Sequence, residues 1–275
     1  MSPGLQGTAA SPRGAPGLAP ERPSAAAGQV SPSPLLETRA LTVRAAGRVL
    51  VERLDWRVNG GERWCVIGRN GAGKSLVLRA LAGLGVPGRA GEVLWQGRAQ
   101  QDWPVNTAAA VRALMPQQAQ DRFALTVERT LALSRVVASD DAPRATELMA
   151  ALDIDALAAR RADQLSGGER QRVALAQCAM QGAALMLLDE PVSFQDPAHQ
   201  QRVGRWLVGA AAGERAWIAS AHDPSWIARV ATHVLALSGD GRWQAGPVEA
   251  ILSAPVLEQT YGCAWRSVEG AWIPA

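Results

Sequence analysis

The stretch Gly68-Arg69-Asn70-Gly71-Ala72-Gly73-Lys74-Ser75 decides how this chain is read. A glycine, four residues and then Gly-Lys-Ser is the spacing of a phosphate-binding loop. The apolar run Trp64-Cys65-Val66-Ile67 before it reads as a buried parallel strand, and Leu76 to Leu84 after it carries the apolar positions of a helix. Glycines at 68, 71 and 73 let the backbone curl so that its N–H groups point at phosphate oxygens. The helix that starts there adds the positive end of its dipole. Within the loop, Lys74 can reach the β- and γ-phosphates and the Ser75 hydroxyl can ligate Mg²⁺. The chain is therefore expected to bind a nucleoside triphosphate.

Composition narrows the class. With 275 residues, 48% of them apolar, the chain can hold one large domain or two small ones. The 28 Lys and Arg against 25 Asp and Glu give +3, only mildly basic. No run of Lys and Arg is long enough to grip a nucleic-acid backbone, so no nucleic-acid partner is expected. Cys65, Cys178 and Cys263 are far apart, which predicts reduced thiols and no structural zinc. No apolar run approaches the roughly 18–20 residues of a membrane-spanning helix, and the start lacks a signal-peptide layout. The expectation is a cytoplasmic protein whose membrane link comes through a partner.

Met1 to Pro34 is rich in Pro, Gly, Ala and Ser without apolar periodicity, and reads as a disordered tail. From Leu35 the pattern is globular. Leu41–Val43, Val49–Val51 and Leu54–Val58 read as three short strands, and Gly91–Trp95 as another. Leu114-Met115-Pro116-Gln117-Gln118 leaves the sheet. From Ala119 to Leu165 the pattern is mostly helical, with one helix opening at Thr126 and another over Pro143–Leu152.

Two further stretches carry chemistry. In Leu165-Ser166-Gly167-Gly168-Glu169-Arg170-Gln171-Arg172-Val173, Ser166 and the two glycines resemble a helix N-cap, and the helix runs to about Met180. Such an N-terminus is an anion site. Ala184-Leu185-Met186-Leu187-Leu188-Asp189-Glu190 reads as a buried strand whose carboxylate end meets the phosphates. Ala216–Ala221 and Val234–Leu237 are further strands, with a short helix over Pro224–Val230 between them. Strands alternating with helices imply a mostly parallel sheet, an α/β fold.

Together these stretches resemble the nucleotide-binding subunit of an ATP-binding-cassette (ABC) transporter, over residues 36 to about 262. The resemblance implies a P-loop NTPase (RecA-like) core with a small antiparallel β-subdomain and an inserted helical subdomain at about 118–165, all within one ABC ATPase domain over 35–275. It implies ATP and Mg²⁺. Ser75 and Asp189 would hold the metal, Asp189 through a water, and Gln117 would sense the γ-phosphate; Gln118 is the alternative. Glu190 would be the general base, a carboxylate near the γ-phosphate that is not itself a metal ligand. His222, in Ser220-Ala221-His222-Asp223, matches the switch histidine. Ser166, Gly167 and Gly168 of one subunit would close over ATP held by a second copy, making a homodimer around two ATP. Asp196 would contact that second copy. The implied partners are transmembrane permease subunits and, indirectly, a substrate-binding protein, with the chain peripheral on the cytoplasmic face of the membrane.

Three departures stand out. Ala46 occupies the place of the family's adenine-stacking aromatic, Leu76 that of a threonine, and Ser193-Phe194-Gln195-Asp196 that of Ser-Ala-Leu-Asp. These predict looser nucleotide affinity and relaxed base selectivity. Met115-Pro116-Gln117-Gln118, Leu125-Thr126-Val127, Asp196-Pro197-Ala198-His199-Gln200 and the closing Leu257–Gly262 resemble importers of iron-siderophores, haem and cobalamin. Gly91–Gly97 also resembles the haem-exporting cassette of cytochrome c maturation, which leaves an exporter as the alternative. A soluble ABC ATPase acting on DNA or ribosomes is the other. Against it, the 90-residue spacing from Ser75 to Leu165 leaves no room for a long coiled coil. His199 itself reads as a solvated residue near a helix cap.

Overall fold

The computed structural model describes Met1 and residues 33–118, 124–135 and 145–275. Nearly all of the tail read over 1–34, and parts of the helical stretch after Ala119, lie outside them. Ten-residue β1 (Leu36–Ala45) turns at Ala46-Gly47 into β2 (Arg48–Val58), and β3 (Arg63–Ile67) leads to the phosphate loop and α1 (Lys74–Leu81). Then come β4 (Ala90–Trp95), β5 (Arg98–Ala99), α2 (Val105–Val111), β6 (Arg112–Met115), α3 (Val127–Leu133) and α4 (Ala145–Leu152). Helix α5 (Gly167–Met180) is followed by β7 (Leu185–Leu188), α6 (Pro197–Ala210), β8 (Ala216–Ser220), α7 (Pro224–Val230) and β9 (His233–Leu237). β10 (Trp243–Pro247), α8 (Val248–Ile251), α9 (Ala254–Tyr261) and the hairpin β11 (Trp265–Val268)–β12 (Ala271–Pro274) close the chain.

The central sheet runs β10-β9-β3-β8-β7-β6, with only the β9–β10 pair antiparallel. Its inner strands are continuous apolar runs because both faces are covered. Cys65, Ile67, Met186, Leu188, Trp217, Ala219, Val234 and Ala236 join the core beneath the helices. Their alternating neighbours Trp64, Val66, Leu185, Leu187, Ala216, Ile218, Leu235 and Leu237 join the core shared with α1 and a second, antiparallel sheet, β2-β1-β4-β5. That second sheet is the small β-subdomain.

The expected separate strands at Val49–Val51 and Leu54–Val58 are one strand. What looked like a gap is bulged: Arg53 takes φ +48 across from Thr42, and Ala40 takes φ +49 across from Asp55. Asp55 Oδ1 accepts from the Ala40 N–H (2.7 Å) and Thr42 Oγ1 from the Arg53 N–H (3.1 Å), so the polar groups displaced from the ladder stay paired. Helix α2 and the β11–β12 hairpin have no counterpart in the sequence reading. α2 buries only Ala108 and Val111, too few apolar positions to show a period.

Candidate nucleotide-binding site

Because the inner strands are parallel, their C-terminal ends leave the sheet on one side, and each carries a site segment. β3 delivers the phosphate loop, β6 Gln117, β7 Asp189-Glu190 and β8 His222. Register aligns them: Met115 pairs with Leu188, so Gln117 and Glu190, each two residues on, emerge level. The result is a cavity of about 690 Å³ lined by Asn70, Gly71, Gly73, Lys74, Ser75, Leu76, Gln117, Glu190, Ser193, Phe194 and His222, with Ala45 and Leu50 at its β-subdomain end.

The loop is shaped by close approach. A Cβ on Gly68 (φ +155) would lie 2.7 Å from the Leu237 carbonyl, and one on Gly73 (φ +103) 3.2 Å from Leu50 Cβ. Ala72 is buried beneath, and its N–H donates to the Arg69 carbonyl at 3.1 Å. Lys74 is buried, and its ammonium donates to the Gly68 and Arg69 carbonyls at 2.9 and 3.3 Å. Burial lowers its pKa below the ordinary lysine value, opposed by the nearby Glu190 and Asp189 carboxylates. A desolvated ammonium held only by carbonyls is one that phosphate oxygens would attract strongly.

The carboxylate pair is held by hydroxyls the sequence reading assigned no role. Ser220 Oγ, fully buried at the end of β8, donates to Asp189 Oδ1 at 2.6 Å and accepts from the Glu190 N–H at 2.8 Å. Glu190 takes φ +53, a strained conformation for its type. Its backbone carbonyl accepts from Gln171 Nε2. The Glu190 carboxylate lies 3.0 Å from His222 Nε2 at one oxygen and accepts from Ser193 Oγ at 2.8 Å at the other. A carboxylate only accepts, so Nε2 carries the proton in that contact. Burial works against ionisation, but hydrogen bonds from His222, Ser193 and Gln117 outweigh it and hold Glu190 below the usual carboxylate range.

Gln117 lines the main cavity and bonds Glu190, whereas Gln118 lines only a smaller neighbouring cavity of about 290 Å³. Ser75 lines the main cavity; Asp189 is buried behind Glu190. Ser166, Gly167 and Gly168 do not line the main cavity. Ser166 caps α5, accepting from the Glu169 N–H at 3.3 Å while Glu169 accepts from the Ser166 N–H at 2.8 Å, a complete capping box. At the far end, Ala45 lines the cavity, whereas Ala46, where the missing aromatic was expected, sits in the hairpin turn and is not among the lining residues. His199 is half-buried and bridged between two carboxylates, unlike the solvated cap residue expected.

The ABC transporter family model matches residues 51–193, from β2 to the loop beyond Glu190. This chain belongs to the ABC transporter ATP-binding family. It is 37% identical over 257 residues to the hemin import ATP-binding protein HmuV of Streptomyces coelicolor, covering 90% of each chain. Against the protein of the same name from Pseudomonas aeruginosa it is 34% identical over 237 residues, covering 83% of this chain and 92% of that one. A solved structure described as an inward-facing metal-chelate type ABC transporter superposes with TM-score 0.71 at 23% identity, over 88% of this chain and 98% of that one, which bears on the fold. The chain is thus an ATP-binding ATPase subunit of a transporter. Among the described residues no helix is long and apolar enough to cross a membrane.

Proposed function

We propose that this ABC ATPase powers uptake of a metal chelate, with haem as the first candidate cargo, and that the cleft is its hydrolytic site. The observation that carries the reading is the placement of Glu190, held by His222 and Ser193, across one cavity from Lys74. Glu190 takes the proton of the attacking water. Each of its oxygens has two lone pairs, so one remains for that water even with His222 and Ser193 bonded. Lys74 and the backbone of residues 68–75 cradle the phosphates. His222 and Gln117 read the γ-phosphate through their shared contact with Glu190.

Ser75, Asp189 and Gln117 present a hydroxyl, a carboxylate and an amide oxygen, the hard oxygen donors that suit Mg²⁺. When bound, the metal would neutralise charge on the β- and γ-phosphates. Ser166, Gly167 and Gly168 close over ATP bound by a second copy, which fits their absence from the chain's own cleft. Residues 35–275 act as one ATPase domain with a helical subdomain at about 118–165. That domain docks on permease subunits at the cytoplasmic face, and an external substrate-binding protein feeds the permease. Relatives named for hemin import support the cargo.

The test is capture with Glu190→Gln, which traps the ATP-closed dimer, from detergent-solubilised host membranes. A polytopic permease is expected which, reconstituted with the wild-type subunit, supports faster ATP hydrolysis with haem. Ribosomal or DNA-processing proteins without any membrane partner would overturn the reading.

A further inference from the structure

The loop from Glu190 to Asp196 is anchored at both ends. At the first, Ser193 Oγ holds the Glu190 carboxylate. Inside it, buried Gln195 donates from Nε2 to the Pro191 carbonyl at 3.1 Å, and its own carbonyl accepts from Gln200 Nε2 at 3.0 Å. The Phe194 carbonyl lies against Gly168 so closely that a Cβ there would be 3.0 Å away. At the second end, Asp196 caps α6 by accepting from the His199 N–H at 2.9 Å.

That cap uses only the backbone of residue 199, yet the ring is engaged twice more. His199 Nδ1 lies 2.8 Å from Asp196 Oδ2, and Nε2 lies 3.1 Å from Asp153 Oδ2. Asp153 is the residue just past α4, held at φ +58, and it is also 3.4 Å from the Arg202 guanidinium. Arg202 in turn donates to the Ala150 carbonyl at 3.5 Å. Carboxylates offer acceptors alone, so a ring nitrogen that carries a proton donates to the carboxylate beside it. The second of the two ring contacts spans 46 positions of sequence and crosses from α6 to the end of α4. A cap needs neither.

We propose that His199 is a positioning residue for hydrolysis: with its ring set between the Asp196 and Asp153 carboxylates, it fastens the loop that carries Glu190 to the end of α4. The inference rests on the reading of Glu190 as the base. Through this tie a displacement of α4 reaches Ser193 and then the Glu190 carboxylate, without passing through any nucleotide contact.

Steady-state Mg-ATP hydrolysis by the full chain tests it, comparing wild type, His199→Ala, Asp153→Ala, their double variant and His199→Gln. Each single variant should lower kcat about tenfold with KM for ATP held within about twofold. The double variant should be no slower than either single one, because both remove the same tie. His199→Gln should recover part of the loss, since its amide donates to one carboxylate. Multiplicative losses in the double variant, or a rise in KM at constant kcat, would each overturn the proposal. Glu190→Gln separates the two layers. If it still hydrolyses ATP, the base assignment fails; if it is inactive while His199→Ala matches wild type, the tie alone fails.

Discussion

Replacing Ser220 with alanine should cost this protein a large share of its stability through two atoms. The hydroxyl is fully buried and bridges the carboxylate of Asp189 (2.6 Å) and the backbone N–H of Glu190 (2.8 Å). A hydrogen bond to a charged group contributes about 1.5–3 kcal/mol, and a buried polar group left unpaired costs about 1–3 kcal/mol. Alanine incurs the first at Asp189 and the second at Glu190, for a combined loss of about 3–5 kcal/mol, with some of the N–H cost recovered by water from the adjoining cleft. Domains of this kind are stable by about 5–15 kcal/mol, so this is about a fifth or more of the total. Urea unfolding followed by fluorescence of the 10 tryptophans reads it directly. Ser220→Cys, similar in size and a weak donor, should lose clearly less. The same substitution loosens the strained backbone of Glu190, so kcat should fall as well. A Ser220→Ala protein that loses less than about 1 kcal/mol and hydrolyses ATP at the wild-type rate would refute the reasoning.

Two other outcomes follow from the same geometry. Ala45→Tyr should tighten ATP binding about tenfold by supplying a ring for adenine to stack on, whereas Ala46→Tyr, out in the turn, should change it little; equal Kd values for both variants and wild type, by equilibrium dialysis, would contradict the assignment. Glu190 is held below the usual carboxylate range, so it stays ionised at neutral pH, and the stability its hydrogen bonds contribute is present above that range and lost as pH falls through the lowered value. The acid limb of kcat/KM should lie correspondingly low. In Ser193→Ala, which removes one of the donors, it should move to higher pH, and an unmoved limb would argue that Ser193 does not hold the base.

What could be read from the sequence is what local chemistry forces. Gly68 is dictated by a 2.7 Å approach to the Leu237 carbonyl and Gly73 by its φ of +103, so the loop announces itself as a spacing of glycines. The strands showed because both sheet faces are buried, which makes Leu185–Leu188 and Ala216–Ala219 uninterrupted apolar runs. Helix α5 showed through its cap, Ser166 with the two glycines after it, and the structure adds Glu169 as the other half of a capping box. The bulged strand β2 was split because Arg53 breaks the alternation at a residue whose conformation only its partner strand explains. Ala45 and Ala46 could not be told apart by spacing alone, since one turn residue decides which of them faces the cleft.

The hydroxyls that hold the carboxylates are a different case. Serine is common at strand ends and in loops, and nothing about Ser193 or Ser220 as residues marks them. Ser220 matters because β8 pairs with β3 on one side and β7 on the other, with Val66 opposite Ser220 and Leu188 opposite Ala219. That register sets Ser220 one step past the last paired residue of β7, beside Asp189. One signal was available: Ser220 is the polar residue that closes an otherwise apolar run, and a fully buried hydroxyl must find a partner. The partner could be named only once the strand order was known, because Asp189 and Ser220 are 31 positions apart and their elements meet only through the sheet. The same holds for His199 and Asp153. Residues assigned to phosphate sit in single loops and can be found in one dimension, whereas residues that hold those in place are fixed by the packing of separate elements and appear only in three.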